Sequence, residues 1–267
     1  MHIINHWCSM NMTFKERLRA GFRAAAIHLG ASALVAALAA ALVFGVWYPY
    51  PYRELAGGVH LFLVVVGVDL VCGPLLTWVI FNPNKPRREL VTDIGLVVVI
   101  QFAALGYGLY SVAMARPIYA VYEVDRFQVV SMADVQPGAL HPEQGGLHRV
   151  PWTGPQIIGV RDPKDGNDNL ASLDLSLRGL EPSARPDWWQ SYEQTKPKVL
   201  SRAQPVSVLR SKQPGKAALI DQAISESGQA EAELRWVPMT SFKVMDWVAF
   251  VDARTAEVRA FAHVDGF

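Results

Sequence analysis

The sequence predicts a membrane protein, a three-span transmembrane α-helical bundle followed by an α+β exported domain with an antiparallel sheet. Two observations predict it. Three apolar segments, at about residues 24–47, 57–81 and 91–114, fill the first half of the 267-residue chain. Each has the ~20 residues that an α-helix needs to cross a hydrocarbon layer ~30 Å thick. The remaining ~150 residues are polar globular sequence with short β-branched and aromatic runs, enough for one domain with its own core.

Basic residues beside the spans set the orientation. Lys15, Arg17, Arg19 and Arg23 precede the first span, against Glu16. The connection Trp47 to Ala56 holds only Arg53 and Glu54, whereas Asn82 to Leu90 holds Lys85, Arg87 and Arg88 with Glu89. Basic, neutral, basic places residues 1–23 in the cytoplasm, the first connection outside and the second inside. Three spans (24–115) then export residues 116–267. Trp47, Tyr48, Tyr50 and Tyr52 are expected at the outer interface, where amphipathic rings are favoured. A cleaved signal peptide is the alternative for the first span. The length of its apolar run and the two spans behind it favour an uncleaved anchor. Met12 is a plausible start, since Met1 to Asn11 shows no structural pattern.

Charge and cysteine usage narrow the function classes. Residues 1–115 carry 8 Lys/Arg and 5 Asp/Glu, net +3, and residues 116–267 carry 17 and 19, net −2. A nearly neutral exported part argues against nucleic acid as a partner. Cys8 lies in the leader and Cys72 in the second span, so the exported domain holds together by packing, with no disulfide and no thiol nucleophile.

Span one presents small residues at spacings of four. Ala33 with Ala37, and Ala36 with Ala40, share faces on which helix backbones approach closely. Packing against spans two and three is the favoured use, and docking of a partner's membrane helix is the sharper alternative. Span two carries Asp69 near its middle, followed by Gly73, Pro74 and Thr77. A carboxylate there costs roughly 3 kcal/mol on insertion scales and should face protein. Pro74 removes an amide and, with Gly73, predicts a kink one turn past Asp69. In span three, Gln101 lies as far from the Asn82–Leu90 connection as Asp69 does, so the two are expected to meet. A buried staple is favoured for Asp69 over a proton or ion site, because one carboxylate is little for a transport path. Asp93 is expected to cap a helix or to pair with Arg87 or Arg88.

Past span three, Pro117 ends the helix. Ile118 to Tyr122 and Phe127 to Val130 read as strands. Arg116, Pro117, Asp125, Arg126 and Phe127 are the candidate junction between membrane and domain. Gln136 to Pro155 is a Pro/Gly-rich loop, and Arg161 to Asn169 is read as a turn, its calcium-loop likeness being weak. Asp187 to Val199 and Ala217 to Ser227 read as helices. Strands follow at Glu233–Met239, Asp246–Asp252 and Glu257–Val264. In the last pair Trp247, Ala249 and Val251 are expected opposite Val258, Ala260 and Ala262.

No nucleophile elbow, phosphate loop, zinc motif or Cys-x-x-Cys is present in the sequence, so no catalytic residue, metal ligand or cofactor is assigned. His141, His148 and His263 are expected as surface or packing residues.

Gly58-Val59-His60-Leu61-Phe62, the run Val68 to Thr77, Lys85, Ala115-Arg116-Pro117 and Asp125-Arg126-Phe127 together resemble the TfpX/TfpZ group of type IV pilin accessory proteins. The resemblance runs from about Met12 through the terminal hairpin. It implies a bacterial inner-membrane protein with a periplasmic domain, in contact with membrane lipid, that binds type IV pilin or other pilus assembly proteins and modulates pilus assembly without catalysis. A membrane sensor or small transporter using Asp69 is the alternative.

Overall fold

The computed structural model describes residues 14–141 and 146–267. Met1, Cys8 and Met12 lie outside the described residues. The described residues form two compact units, 14–41 with 60–111, and 42–59 with 112–267.

The helices of the first half are α1 (Phe14–Leu42), α2 (Tyr52–Leu55), α3 (Gly58–Ile80) and α4 (Arg87–Met114). α1, α3 and α4 are long and apolar enough to cross a membrane, and they make this a membrane protein. α1 starts well before its apolar run because Lys15 to Ala20 are good helix formers. It runs into a π-helical turn, Val43–Trp47, and stops where Pro49 and Pro51 withdraw their amides. α3 continues through Pro74. Leu63, Val79, Val99 and Phe102 are all at least 60% exposed, as side chains facing hydrocarbon should be.

Within the span unit, glycines let α3 and α4 approach closely. A Cβ on Gly108 would fall 2.3 Å from Val65, and one on Gly73 would fall 2.0 Å from the Gln101 amide. Lys85 Nζ binds Asp93 Oδ2 at 2.6 Å across the α3–α4 connection. Asp93 thus pairs with Lys85 rather than with Arg87 or Arg88, because the connection folds Lys85 back over the first turn of α4.

The second unit is built on β1 (Pro117–Glu123), β2 (Arg126–Ser131), β3 (Gln156–Val160), α5 (Gly166–Leu177), β4 (Trp189–Ser191), α6 (Tyr192–Arg202), β5 (Gln204–Pro205), α7 (Val206–Lys212), α8 (Ala217–Ser227), β6 (Leu234–Ser241), β7 (Trp247–Asp252) and β8 (Val258–Ala262). The strand order is β4-β3-β1-β2-β6-β7-β8, with β5 pairing β6. The α+β class stands, and the sheet is mixed. β1–β2, β3–β4, β5–β6, β6–β7 and β7–β8 are antiparallel, while β1–β3 and β2–β6 run parallel. Both parallel pairs join strands far apart in sequence, which local alternation does not reveal.

The sheet is covered on both faces. In β7, Trp247, Ala249 and Val251 enter one core with Ala120, Tyr122, Phe127 and Val129. Val248 and Phe250 enter another, with Val206 and Leu209 of α7 and Ile220 and Ala223 of α8. A third core packs Ile118, Tyr119, Val121 and Ile158 against Trp188 and Trp189. Hence β7 is buried throughout, the signature of a strand covered on both sides.

Three local expectations change. Val248 and Phe250 sit opposite Ala262 and Ala260, a register shift precedes the Val251–Val258 pair, and the expected facing of Trp247 and Ala249 does not occur. The segment expected to be helical from Asp187 begins as a 3-10 turn and strand β4, because Trp189 to Ser191 pair with β3. Gly166–Leu177, read as a turn in its first part, is helix α5, capped by Asp165 accepting from Asp168 N.

Candidate functional site

Polar groups gather inside the span unit. Gln101 on α4 donates from Nε2 to the backbone carbonyl of Asp69 at 3.1 Å. That carbonyl is one residue from Leu70, whose carbonyl loses its helical donor to Pro74. Gly73 supplies the space, since the Gln101 amide occupies the volume that a side chain at 73 would take. Asp69, Gly73, Pro74 and Gln101 thus form one local constellation, with Gln101 bonding to the backbone of Asp69.

This constellation borders a cavity of about 410 Å³ lined by His28, Ser32, Ala36, Asp69, Thr77 and Gln101 among apolar neighbours. His28 on α1 bonds through Nδ1 to Thr77 Oγ1 at 2.5 Å. Sequence reasoning missed His28. Its signal was an ionisable side chain inside an apolar span, the same signal that marks Asp69. The arrangement joins α1, α3 and α4 through polar contacts in an apolar medium, and it places an imidazole and a carboxyl group on the wall of one cavity.

The small-residue face of α1 divides. Ala36 lines the cavity and Ala40 is half-buried, whereas Ala33 and Ala37 are exposed.

In the second unit, the connection 42–59 is part of the domain. Tyr52 and Leu55 of α2 are buried in the core formed with Phe127, Val129 and Trp247. Ser241 Oγ donates to Leu55 O at 2.7 Å, and Tyr48 Oη donates to Val112 O at 2.9 Å. Trp47, Tyr48 and Tyr52 are therefore buried in protein, and of the expected interface rings only Tyr50 is exposed. Local composition cannot separate a ring held by headgroups from a ring held by a core.

Arg116 stands where α4 gives way to β1. It donates to Ala113 O at 2.8 Å and Pro151 O at 3.3 Å, with its guanidinium 5.9 Å from the ring centroids of both Trp47 and Trp152. The two indoles meet edge-on at 5.7 Å. Pro117 opens β1 opposite Ser131. Asp125, Arg126 and Phe127 lie at the other end of β1. Asp125 and Arg126 form a partly exposed ion pair at 2.9 Å in the β1–β2 turn, and Phe127 is buried against Tyr122 and Tyr192. The five candidate junction residues therefore occupy two places.

An open groove of about 680 Å³ borders the same domain, lined by Glu54, Lys243, Met245, Trp247, His263 and Phe267 among others. Its floor is the Trp247 indole stacked on His263 at 4.9 Å, with His263 Nε2 at 2.8 Å from Asp246. Among the described residues, no group of His, Cys, Asp and Glu side chains is arranged to hold a metal ion.

Residues 16–57 match the family model described as "Fimbrial assembly protein FimB". That stretch covers span one together with the connection that enters the domain core. The chain is 30% identical over 254 residues to a fimbrial assembly protein of serogroup I from Dichelobacter nodosus, a match covering 95% of this chain and 98% of the relative. The serogroup E1 protein of the same organism is 29% identical over the same length. The protein of serogroups C1 and C2 is 40% identical over 121 residues, 45% of this chain and 92% of that relative. No solved structure matches the chain.

Proposed function

The chain belongs to the fimbrial assembly protein family, and on that premise we propose that it is a non-enzymatic membrane factor that binds the type IV pilin subunit and modulates pilus assembly. The observation that carries the reading is similarity along nearly the whole length to proteins named for fimbrial assembly, spans and domain together. It agrees with the resemblance to type IV pilin accessory proteins. The distribution of Lys and Arg supports a bacterial inner-membrane location with the N-terminus cytoplasmic and the domain periplasmic. Two surfaces suit a partner with a membrane helix and an external head. The exposed Ala33 and Ala37 offer a close-packing face to a helix. The aromatic-floored groove at Trp247 and His263, with Met245 58% exposed, offers a mixed apolar and polar surface.

Photocrosslinking in intact cells tests this, with a photoreactive residue at position 37 or 245. An adduct with the pilin subunit is expected. Adducts only with the protein itself or with other envelope proteins overturn direct pilin binding. Replacing Ala33 and Ala37 by Leu should abolish pilin co-purification, and unchanged recovery removes the helix-docking mechanism.

The cavity supports a second reading, a membrane sensor or small transporter, because His28, Asp69 and Thr77 share its wall. On that reading Asp69→Asn accumulates and folds normally yet loses function. A variant that fails to accumulate marks Asp69 as a staple instead.

A further inference from the structure

The C-terminal domain holds a buried cation without a matching acceptor. Arg185 is 1% exposed. Among the described residues its guanidinium donates one hydrogen bond, from Nη2 to Ser172 Oγ at 2.6 Å, and its buried Nε has no partner. The ring of Trp188 lies beneath it at 4.7 Å. Glu123, Glu181 and Asp187 act on it through space, but the Glu123 carboxylate is engaged by Ser183 N at 2.8 Å. A guanidinium has five N–H donors, and desolvating it with most of them unanswered is costly. By contrast Asp252, a buried anion, accepts from Gln229, Arg254 and Thr255.

Arg185 lines a cavity of about 490 Å³ with Gln136, His141, His148, Leu175 and Asp187. Buried His148 Nδ1 also lacks a hydrogen-bond partner. The walls are fixed by bonds outside the cavity. Tyr119 Oη donates to Leu147 O and Arg149 O, which clamps the turn bearing His148. Gln136 N donates to Ala184 O, and Trp188 N to Arg185 O, which hold the opposite wall. Asp187 is exposed and sits in water, where its charge is screened.

We propose that this cavity binds a small solute through an oxyanion, a carboxylate or a phosphate group, seated on the Arg185 guanidinium with the His148 Nδ1–H as second donor. The planar fork of Arg185 matches two oxygens of either group. The cavity is of small-molecule size, so the oxyanion is carried on a larger body. Asp187 at the rim favours hydroxyl or amino donors at the outer end of that body.

The test uses the full chain in detergent, in buffer free of other oxyanions, titrated calorimetrically with inorganic phosphate and separately with succinate. Saturable binding of one probe is expected, and which one binds separates phosphate from carboxylate recognition. Arg185→Lys should weaken it at least about tenfold, the loss of a charge-assisted bond, and His148→Gln severalfold. His148→Gln leaves the buried cation in place and keeps the test decisive if Arg185→Lys fails to accumulate. Absence of saturable binding by either probe up to about 10 mM, or wild-type affinity in His148→Gln, overturns the site.

Discussion

At the scale of single residues, Gly73 and Gln101 form a coupled pair. Gly73→Ala places a methyl group in the volume of the Gln101 amide and should displace its bond to the Asp69 carbonyl. The expected loss is about 1–3 kcal/mol, from overpacking and one interhelical bond. Adding Gln101→Ala should restore much of it, which a double-mutant cycle of melting temperatures in detergent would read. In the domain, the Gln229 hydrogen bond and then the Thr255 and Arg254 amides hold the Asp252 carboxyl well below the usual carboxylate range. A depressed folded pKa gives stability that is present above the unfolded value, about 4, and is lost as the pH falls below it. Acid unfolding of the wild type should therefore steepen below about pH 4, while Asp252→Asn should show a flatter profile there. Asp69, Gly73, Pro74 and Gln101 were legible because polar and helix-breaking residues stand out in an apolar span. Arg185 was not, because an arginine is exposed by default and only neighbours far along the chain bury it.

At the scale of elements, the decisive segment is α2 with its flanks. Leu55→Ala removes a fully buried side chain from the main core and should destabilise the domain by about 2–5 kcal/mol. Tyr48→Phe removes the hydroxyl that donates to Val112 O and should cost about 1 kcal/mol. Both are measurable by thermal unfolding of the full chain. Helix α8 falls at the expected residues, since its apolar spacing and Gly228 in the left-handed conformation are local signals. Strand β4 and helix α5 were less visible. Trp189 to Ser191 are extended because β3 lies beside them, and the weak apolar face of α5 leaves Leu170, Leu173 and Leu177 exposed.

At the scale of the whole molecule, the domain is not contained in residues 116–267. Expressed alone, that segment lacks Tyr52 and Leu55 and should expose the core they cover. It should bind an apolar dye and melt well below the same segment joined by a Gly/Ser linker to residues 42–59. Equal stability of the two would show that the connection only rests on a complete fold. By itself the sequence determined the three spans, their charge asymmetry, the α+β class of the remainder and the intramembrane polar residues, because hydropathy, charge and turn chemistry act over one helix or strand. Only the tertiary structure decided that residues 42–59 belong to the domain core, that β1–β3 and β2–β6 run parallel, that His28 shares a cavity with Asp69, and that Arg185 is buried. Each of these depends on which distant segments come together. Burial, register and unmet hydrogen bonds exist only once they have.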